Sequence, residues 1–274
     1  MLEHHIEKNA GIPLSAVERY HEDGYILHDE PILSSDEITE VLDELALVIA
    51  GESALPADRI STENQDIPAG PDNPVRKVTG LSYYLPFFER MAKSPAIVEK
   101  VASLIGPNVK LYTDEFFMKN PAREGQPFAP YIWHQDAVNY DFFAPLDGFV
   151  TCWIALDEAR IENGCMHMIP HSHTLGPIAR TGRERFVDHP STAEPVAAEV
   201  KPGYAVFHDG LNFHCSYPNL SSLPRRAIAF HYMRAETRYL GIEDKRLRDF
   251  VECNRVSDPY QFMSIRGLEF ADSV

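Results

Sequence analysis

Hydrophobic periodicity changes once along this chain of 274 residues, at Val109, and that change constrains the fold more than any other feature. Before it, apolar residues recur at helical spacing. Ser34 and Glu37 form a capping box ahead of Ile38, Val41, Leu42, Leu45, Val48 and Ile49, and Gly51 closes that helix. Ser94 as cap, Pro95 at the first helical position and Gly106 as terminator bracket another, with Ile97, Val98, Val101, Leu104 and Ile105 between them. A second capping box, Ser15 with Glu18, predicts a shorter helix that Gly24 stops, followed by a strand at 25–27. After Val109 the runs become short, β-branched and aromatic. They predict strands at 109–119, 149–156, 166–169, 204–207, 211–214 and 227–233, separated by turn residues such as Asn163-Gly164 and Lys201-Pro202-Gly203. Helices first and short strands afterwards imply a mainly β protein, a sandwich or jelly roll buttressed by helices.

The whole chain, 1–274, reads as a single domain: a helical flank at about 15–106, a β core at about 109–235 and a C-terminal extension at 236–274. Two stretches break the rhythm. Residues 54–86 hold five prolines and little periodicity, which reads as a long loop or lid carrying Lys77, Tyr83 and Tyr84. Residues 171–200 read as a second loop, at the mouth of the roll, with Arg180, Arg183 and Arg185. Both are expected to shape substrate choice.

With 25 basic against 41 acidic residues the formal charge is −16, which repels nucleic acid and anionic membranes and leaves a small molecule as the expected partner. An anionic ligand would need arginine or lysine placed locally against that field. Cys152, Cys165, Cys215 and Cys253 show no metal-type spacing and read as reduced thiols of a cytoplasmic protein. No run is long enough to span a membrane, and the first residues lack the pattern of a signal peptide.

The chemistry centres on Trp133-His134-Gln135-Asp136. On an extended strand His134 and Asp136 would project an imidazole and a carboxylate to one face. That is two thirds of the two-histidine, one-carboxylate set that holds non-heme Fe(II) and leaves open positions. The third ligand would come from a distant strand, and His214 is the best candidate. His208 is its rival but precedes a turn at Asp209-Gly210, while His231 reads as a core histidine. His167, His171 and His173 could mimic a zinc site, yet no cysteine pair completes it. Eleven residues after His214, Arg225 opens an apolar strand. A guanidinium entering a core is costly unless an anion pairs with it, and it grips a carboxylate through two parallel bonds. Arg225 could therefore meet the far end of a dicarboxylic acid chelating the metal.

In combination these residues resemble the phytanoyl-CoA dioxygenase family of Fe(II)- and 2-oxoglutarate-dependent oxygenases. The matching pieces are 133–136, Trp153, 162–165, 169–173 and the block from Gly203 to Arg226, in the family's order. The resemblance implies a double-stranded β-helix (jelly-roll, cupin-like) core with Fe(II) on His134, Asp136 and His214. It implies Arg225 on the distal carboxylate of 2-oxoglutarate, Ser216 and Trp153 beside that cosubstrate, and Lys119 at a position common in the family. The implied reaction consumes O2 and 2-oxoglutarate, releases succinate and CO2, and oxidises a C–H bond, most simply to an alcohol. Asp136 argues for oxygenation, since a related halogenase class lacks that carboxylate. The chain departs from the family at His171, where glycine is usual. The aromatic residues Tyr83, Tyr84, Tyr140, Phe142 and Phe143 are candidates for lining the cleft. The alternative from another class is a catalytically silent jelly-roll binding protein, since a fold does not dictate function.

Overall fold

The computed structural model describes residues 11–64, 69–70, 73–122, 127–137, 143–178, 192–239 and 263–266. The helices come first in the chain. Helix α1 (Leu14–Asp23) leads into strand β1 (Tyr25–Leu27), and α2 (Ser35–Ile49) follows. The capping box at α2 forms as expected, with Ser34 accepting from the Glu37 backbone N–H and the Glu37 carboxylate accepting from Ser34 N–H at 2.7 Å. The box expected at Ser15 does not form. Helix α1 starts two residues earlier, with Pro13 as its cap and the Pro13 carbonyl accepting from Ala16 and Val17 N–H. Ser15 therefore already lies inside the first turn.

The proline-rich stretch is not a structureless lid. It holds strands β2 (Ile60–Thr62) and β3 (Val75–Thr79), which pair with each other, and the short helix α3 (Leu81–Tyr84). Helices α4 (Pro86–Ala92) and α5 (Pro95–Ile105) come next, then the long strand β4 (Val109–Lys119), whose bounds match the sequence expectation. The remaining strands are β5 (Tyr131–His134), β6 (Phe143–Ala144), β7 (Phe149–Ala155), β8 (Met166–Met168), β9 (Val196–Ala198), β10 (Ala205–Asp209), β11 (His214–Ser216), β12 (Arg225–Arg234), β13 (Arg238–Tyr239) and β14 (Met263–Arg266). The strand expected at 211–214 thus begins only at His214. The expected loop at 171–200 contains a 3-10 turn, Ser172–Leu175, and strand β9. Of the C-terminal extension, β13 pairs with β6 and β14 returns to β4. Cys253 lies outside the described residues.

Two antiparallel sheets carry the fold. The larger runs β1-β10-β7-β12-β4-β3-β2, with β14 also on β4; the smaller runs β5-β11-β8-β9. Period-two alternation sorts side chains to the two faces of the larger sheet. Ile228, Phe230 and Tyr232 of β12, with Val150, Cys152 and Ile154 of β7, pack among the helices, where Val41, Leu45, Val101 and Leu104 meet them. Ala227 and Ala229 of β12, with Trp153 and Ala155 of β7, face the smaller sheet and its Met166 and Met168. The layers are therefore helices, large sheet and small sheet. Each fully buried large side chain, Phe207 or Phe230 among them, contributes roughly 1.5–3 kcal/mol of hydrophobic stabilisation. A turn at Gly203 (φ +84°) locks the chain entering α2 onto this sheet, its carbonyl accepting from Ile32 and Leu33 N–H. A Cβ there would collide with the Leu33 carbonyl oxygen.

Several sequence candidates resolve as structure rather than cleft. The Tyr83 hydroxyl donates to the Leu111 carbonyl, and Tyr84 accepts from Arg59; both pack against the helix-side core. Tyr140 and Phe142, and the loop arginines Arg180, Arg183 and Arg185, lie outside the described residues. No described helix is long and apolar enough to cross a membrane.

Candidate metal and cosubstrate site

Between the two sheets, His134, Asp136 and His214 converge. Their ligand atoms all lie within 4.8 Å of one another, and this is the one such group of potential metal ligands among the described residues. His134 ends β5 and His214 opens the adjacent β11, directly opposite it in the ladder. Asp136 is not on the strand, because β5 stops at His134; it reaches the same space from the turn that follows. The turn, rather than strand alternation, aims Asp136, and its side chain arrives beside His134 as expected. Gln135, buried between the two, is held apart from the site: its amide donates to the carbonyls of Gly176 and Leu211, and its oxygen accepts from Ile178 N–H.

Both histidines are oriented by the backbone. His134 Nδ1 donates to the Ile132 carbonyl at 2.7 Å, and His214 Nδ1 to the Asn212 carbonyl at 3.1 Å. A carbonyl can only accept, so each proton sits on Nδ1 and each Nε2 offers a lone pair inward. Those Nε2 atoms lie 3.5 and 3.7 Å from Asp136 Oδ1. Burial, then the neighbouring rings of His134 and His208, holds His214 well below the ordinary histidine range, so it stays neutral. Burial alone would raise the Asp136 carboxyl, but His214, His134, His231 and His208 together hold it well below the usual carboxylate range. Two imidazole nitrogens and one carboxylate are the donor set that Fe(II) takes, and the site fits that ion.

Arg225 opens β12 in the large sheet, whereas His214 lies in the small one, so the two face each other across the cleft rather than on neighbouring strands. The guanidinium is 2% exposed; one nitrogen donates to the Gly164 carbonyl at 2.7 Å, while Nε is buried without a partner. Among the described residues no carboxylate pairs with it. Gly164 (φ +77°) allows this approach, since a Cβ there would strike the Tyr217 carbonyl and crowd the Lys119 stem. Trp153 lies beneath, its ring 5.1 Å from the guanidinium carbon. Lys119 pairs with Arg225 across β4 and β12, and its buried amine donates to the carbonyls of Ser216 and Tyr217. Burial, then Arg225 and Arg76, pushes Lys119 down to about 7, and burial pushes Arg225 down to about 10. In an acidic protein, Arg225 and Lys119 bring two buried basic groups together, and among the described residues neither makes an ion pair.

Some neighbours of the site gave no clear sequence signal. Arg76, from the stretch read as a loop, lies over the Tyr131 ring and donates to its hydroxyl at 3.1 Å. His208, set aside as a ligand, lies with its ring 4.4 Å from that of His214. His231 is the buried strand histidine expected, bonded to Thr151, and it also stands 3.6 Å from Asp136. Thr151, a polar residue inside the apolar run of β7, bonds Asp136 at 2.9 Å and was the one detectable by that anomaly. The pseudo-zinc trio does not assemble: His171 Nδ1 bonds the Glu22 carbonyl and His173 Nε2 the His21 carbonyl. His171 has φ +62°, the left-handed conformation glycine adopts most easily, which explains why glycine is usual there.

A family model for phytanoyl-CoA dioxygenase matches residues 20–227. A probable alpha-ketoglutarate-dependent hypophosphite dioxygenase of Stutzerimonas stutzeri is 25% identical over 76% of this chain and 74% of its own length. A methylphosphonate hydroxylase of Gimesia maris is 28% identical over 82% of each. The phytanoyl-CoA dioxygenase domain-containing protein 1 of Rattus norvegicus is 31% identical over 60% of this chain, and the match spans only 59% of that relative. In fold, the alpha-ketoglutarate-dependent epimerase SnoN from nogalamycin biosynthesis superposes with a TM-score of 0.71 over 93% of this chain and 97% of its own, at 24% identity. The jelly roll, the donor set and the family match agree: this chain is a 2-oxoglutarate-dependent oxygenase that belongs to the phytanoyl-CoA dioxygenase family.

Proposed function

We propose that this enzyme hydroxylates an unactivated C–H bond of a small molecule, using iron held by His134, Asp136 and His214. The observation that carries the reading is the pairing of an intact donor set with Arg225, a buried guanidinium whose Nε has no partner. Arg225 binds the distal carboxylate of 2-oxoglutarate, Trp153 supports the guanidinium, and Ser216 and Lys119 border the cosubstrate. The chemistry supplied by bound iron is the O2-dependent conversion of 2-oxoglutarate to succinate and CO2, coupled to oxidation of substrate. His134 and His214 contribute nitrogen donors fixed by their Nδ1 bonds, and Asp136 contributes charge. The retained carboxylate favours oxygenation over halogenation, and the methylphosphonate hydroxylase among the relatives favours hydroxylation; a neighbour in fold is an epimerase.

Anaerobic titration of the metal-free protein with Fe(II) and then 2-oxoglutarate, following the weak visible charge-transfer band, tests the site. The band is expected in the wild type and is lost in Asp136→Ala and Arg225→Ala. Succinate release and product mass then identify the substrate and the oxidation. A folded wild type that forms no band, or a band unaffected by Asp136→Ala, would overturn the assignment.

A further inference from the structure

The two oxygens of Asp136 face different surroundings. Oδ1 is the one directed at His134 and His214. Oδ2 turns into the large sheet, where Thr151 Oγ1 lies 2.9 Å away, His231 Nδ1 3.6 Å and His208 Nε2 3.9 Å. Thr151 occupies the middle of β7, directly opposite His208 of β10 on one side and His231 of β12 on the other. Apart from Asp136, its hydroxyl contacts His231 Nδ1 at 2.9 Å.

The direction of these bonds follows from counting protons. An ionised carboxylate only accepts, so Thr151 commits its single proton to Asp136. Its oxygen must then accept from His231, whose proton therefore sits on Nδ1. The far side of that ring faces Glu115 Oε2 at 3.7 Å, and Glu115 is paired with Lys77 at 2.7 Å. Lys77, Glu115, His231 and Thr151 thus form a file across four strands, half-exposed at Lys77 and buried at His231 and Thr151, ending on the carboxylate. Thr151 stands in a run whose other members are apolar or aromatic. Valine would have the same shape without the cost of burying a hydroxyl, so packing does not call for threonine.

We infer that Thr151 is a positioning residue for Asp136: by holding Oδ2 it presents the carboxylate to the metal through Oδ1 alone. A carboxylate free to swing could close on the metal with both oxygens and occupy a position that cosubstrate or O2 requires. The inference rests on the proposed ligand set. Outer partners of this kind typically change metal affinity by about 10–100-fold when removed.

The test uses the full chain and Co(II) alone, titrated anaerobically and read by the visible d–d absorption of the bound ion. Thr151→Val is expected to weaken Co(II) binding by about tenfold or more and to alter the band. Thr151→Ser, which restores the hydroxyl, is expected to return both towards wild type. If Thr151→Val does not fold, Thr151→Ala makes the same comparison. Binding and spectrum unchanged in a folded Thr151→Val or Thr151→Ala overturn this role and leave the ligand set standing. No difference between wild type and His134→Ala would remove the ligand set and this inference together.

Discussion

Replacing Arg225 with methionine should make the ligand-free protein more stable and the enzyme worse. The guanidinium is almost wholly buried and pairs with no carboxylate among the described residues, and burial pushes its pKa down to about 10. Relative to the ordinary arginine value, at about 1.4 kcal/mol per pKa unit, keeping this cation charged costs roughly 3 kcal/mol. The cost is present in full at neutral pH, because both folded and unfolded chains are protonated there. Against it stand the bond to the Gly164 carbonyl, about 1 kcal/mol, and the stacking on Trp153, about 1 kcal/mol. The net gain from Arg225→Met is therefore on the order of 1 kcal/mol, or about 2–4 °C in Tm for a chain of this size class. Ligand has the opposite effect. At a 2-oxoglutarate concentration of about 100 times the wild-type Kd, with Mn(II) in place of iron to prevent turnover, the wild type gains about 2.7 kcal/mol. A tenfold loss of affinity in the variant would cut that to about 1.4 kcal/mol. Thermal melts of both proteins, with and without 2-oxoglutarate, give all four values. A variant that melts lower without ligand, yet keeps the full ligand-induced increase, would show that Arg225 is a structural prop and refute the reasoning.

Two further outcomes follow from the same geometry. Lys119 has its pKa lowered to about 7, so above that pH the unfolded chain holds a proton that the fold has shed, and native stability gains from this group as pH rises from about 7 to 10. On the proposed placement of Lys119 beside the cosubstrate, its charged form favours carboxylate binding, so 2-oxoglutarate affinity is expected to move the other way. Calorimetric titration should show it falling about tenfold between about pH 6.5 and 8.5, with the trend absent in Lys119→Met; an unchanged trend would exclude Lys119 as its source. Gly203→Ala should cost roughly 2–4 kcal/mol in urea unfolding, through the left-handed backbone and the collision with the Leu33 carbonyl, and a loss under about 0.5 kcal/mol would contradict the turn described.

What the sequence determined by itself is what local chemistry specifies. The capping box at Ser34, the proline and glycine around α5, and the β-branched run of β4 each act within a few residues, so their elements could be read directly. His134, Asp136, His214 and Arg225 were legible because each is a costly polar residue at the end of an apolar run, and because their order along the chain resembles a known family. The failures have the same origin. A proline-rich stretch without periodicity concealed β2 and β3, whose strand character comes from β4 supplying an edge to β3 and β3 one to β2. Asp136 was aimed by a turn, not by strand alternation. Only tertiary structure decided that His214 and Arg225 sit in opposite sheets, that Thr151 lies between His208 and His231, and that the Arg225 guanidinium meets the Gly164 carbonyl. Those relations depend on ladder register and on the packing of two sheets, which bring residues together across scores of intervening positions, and no local pattern encodes them.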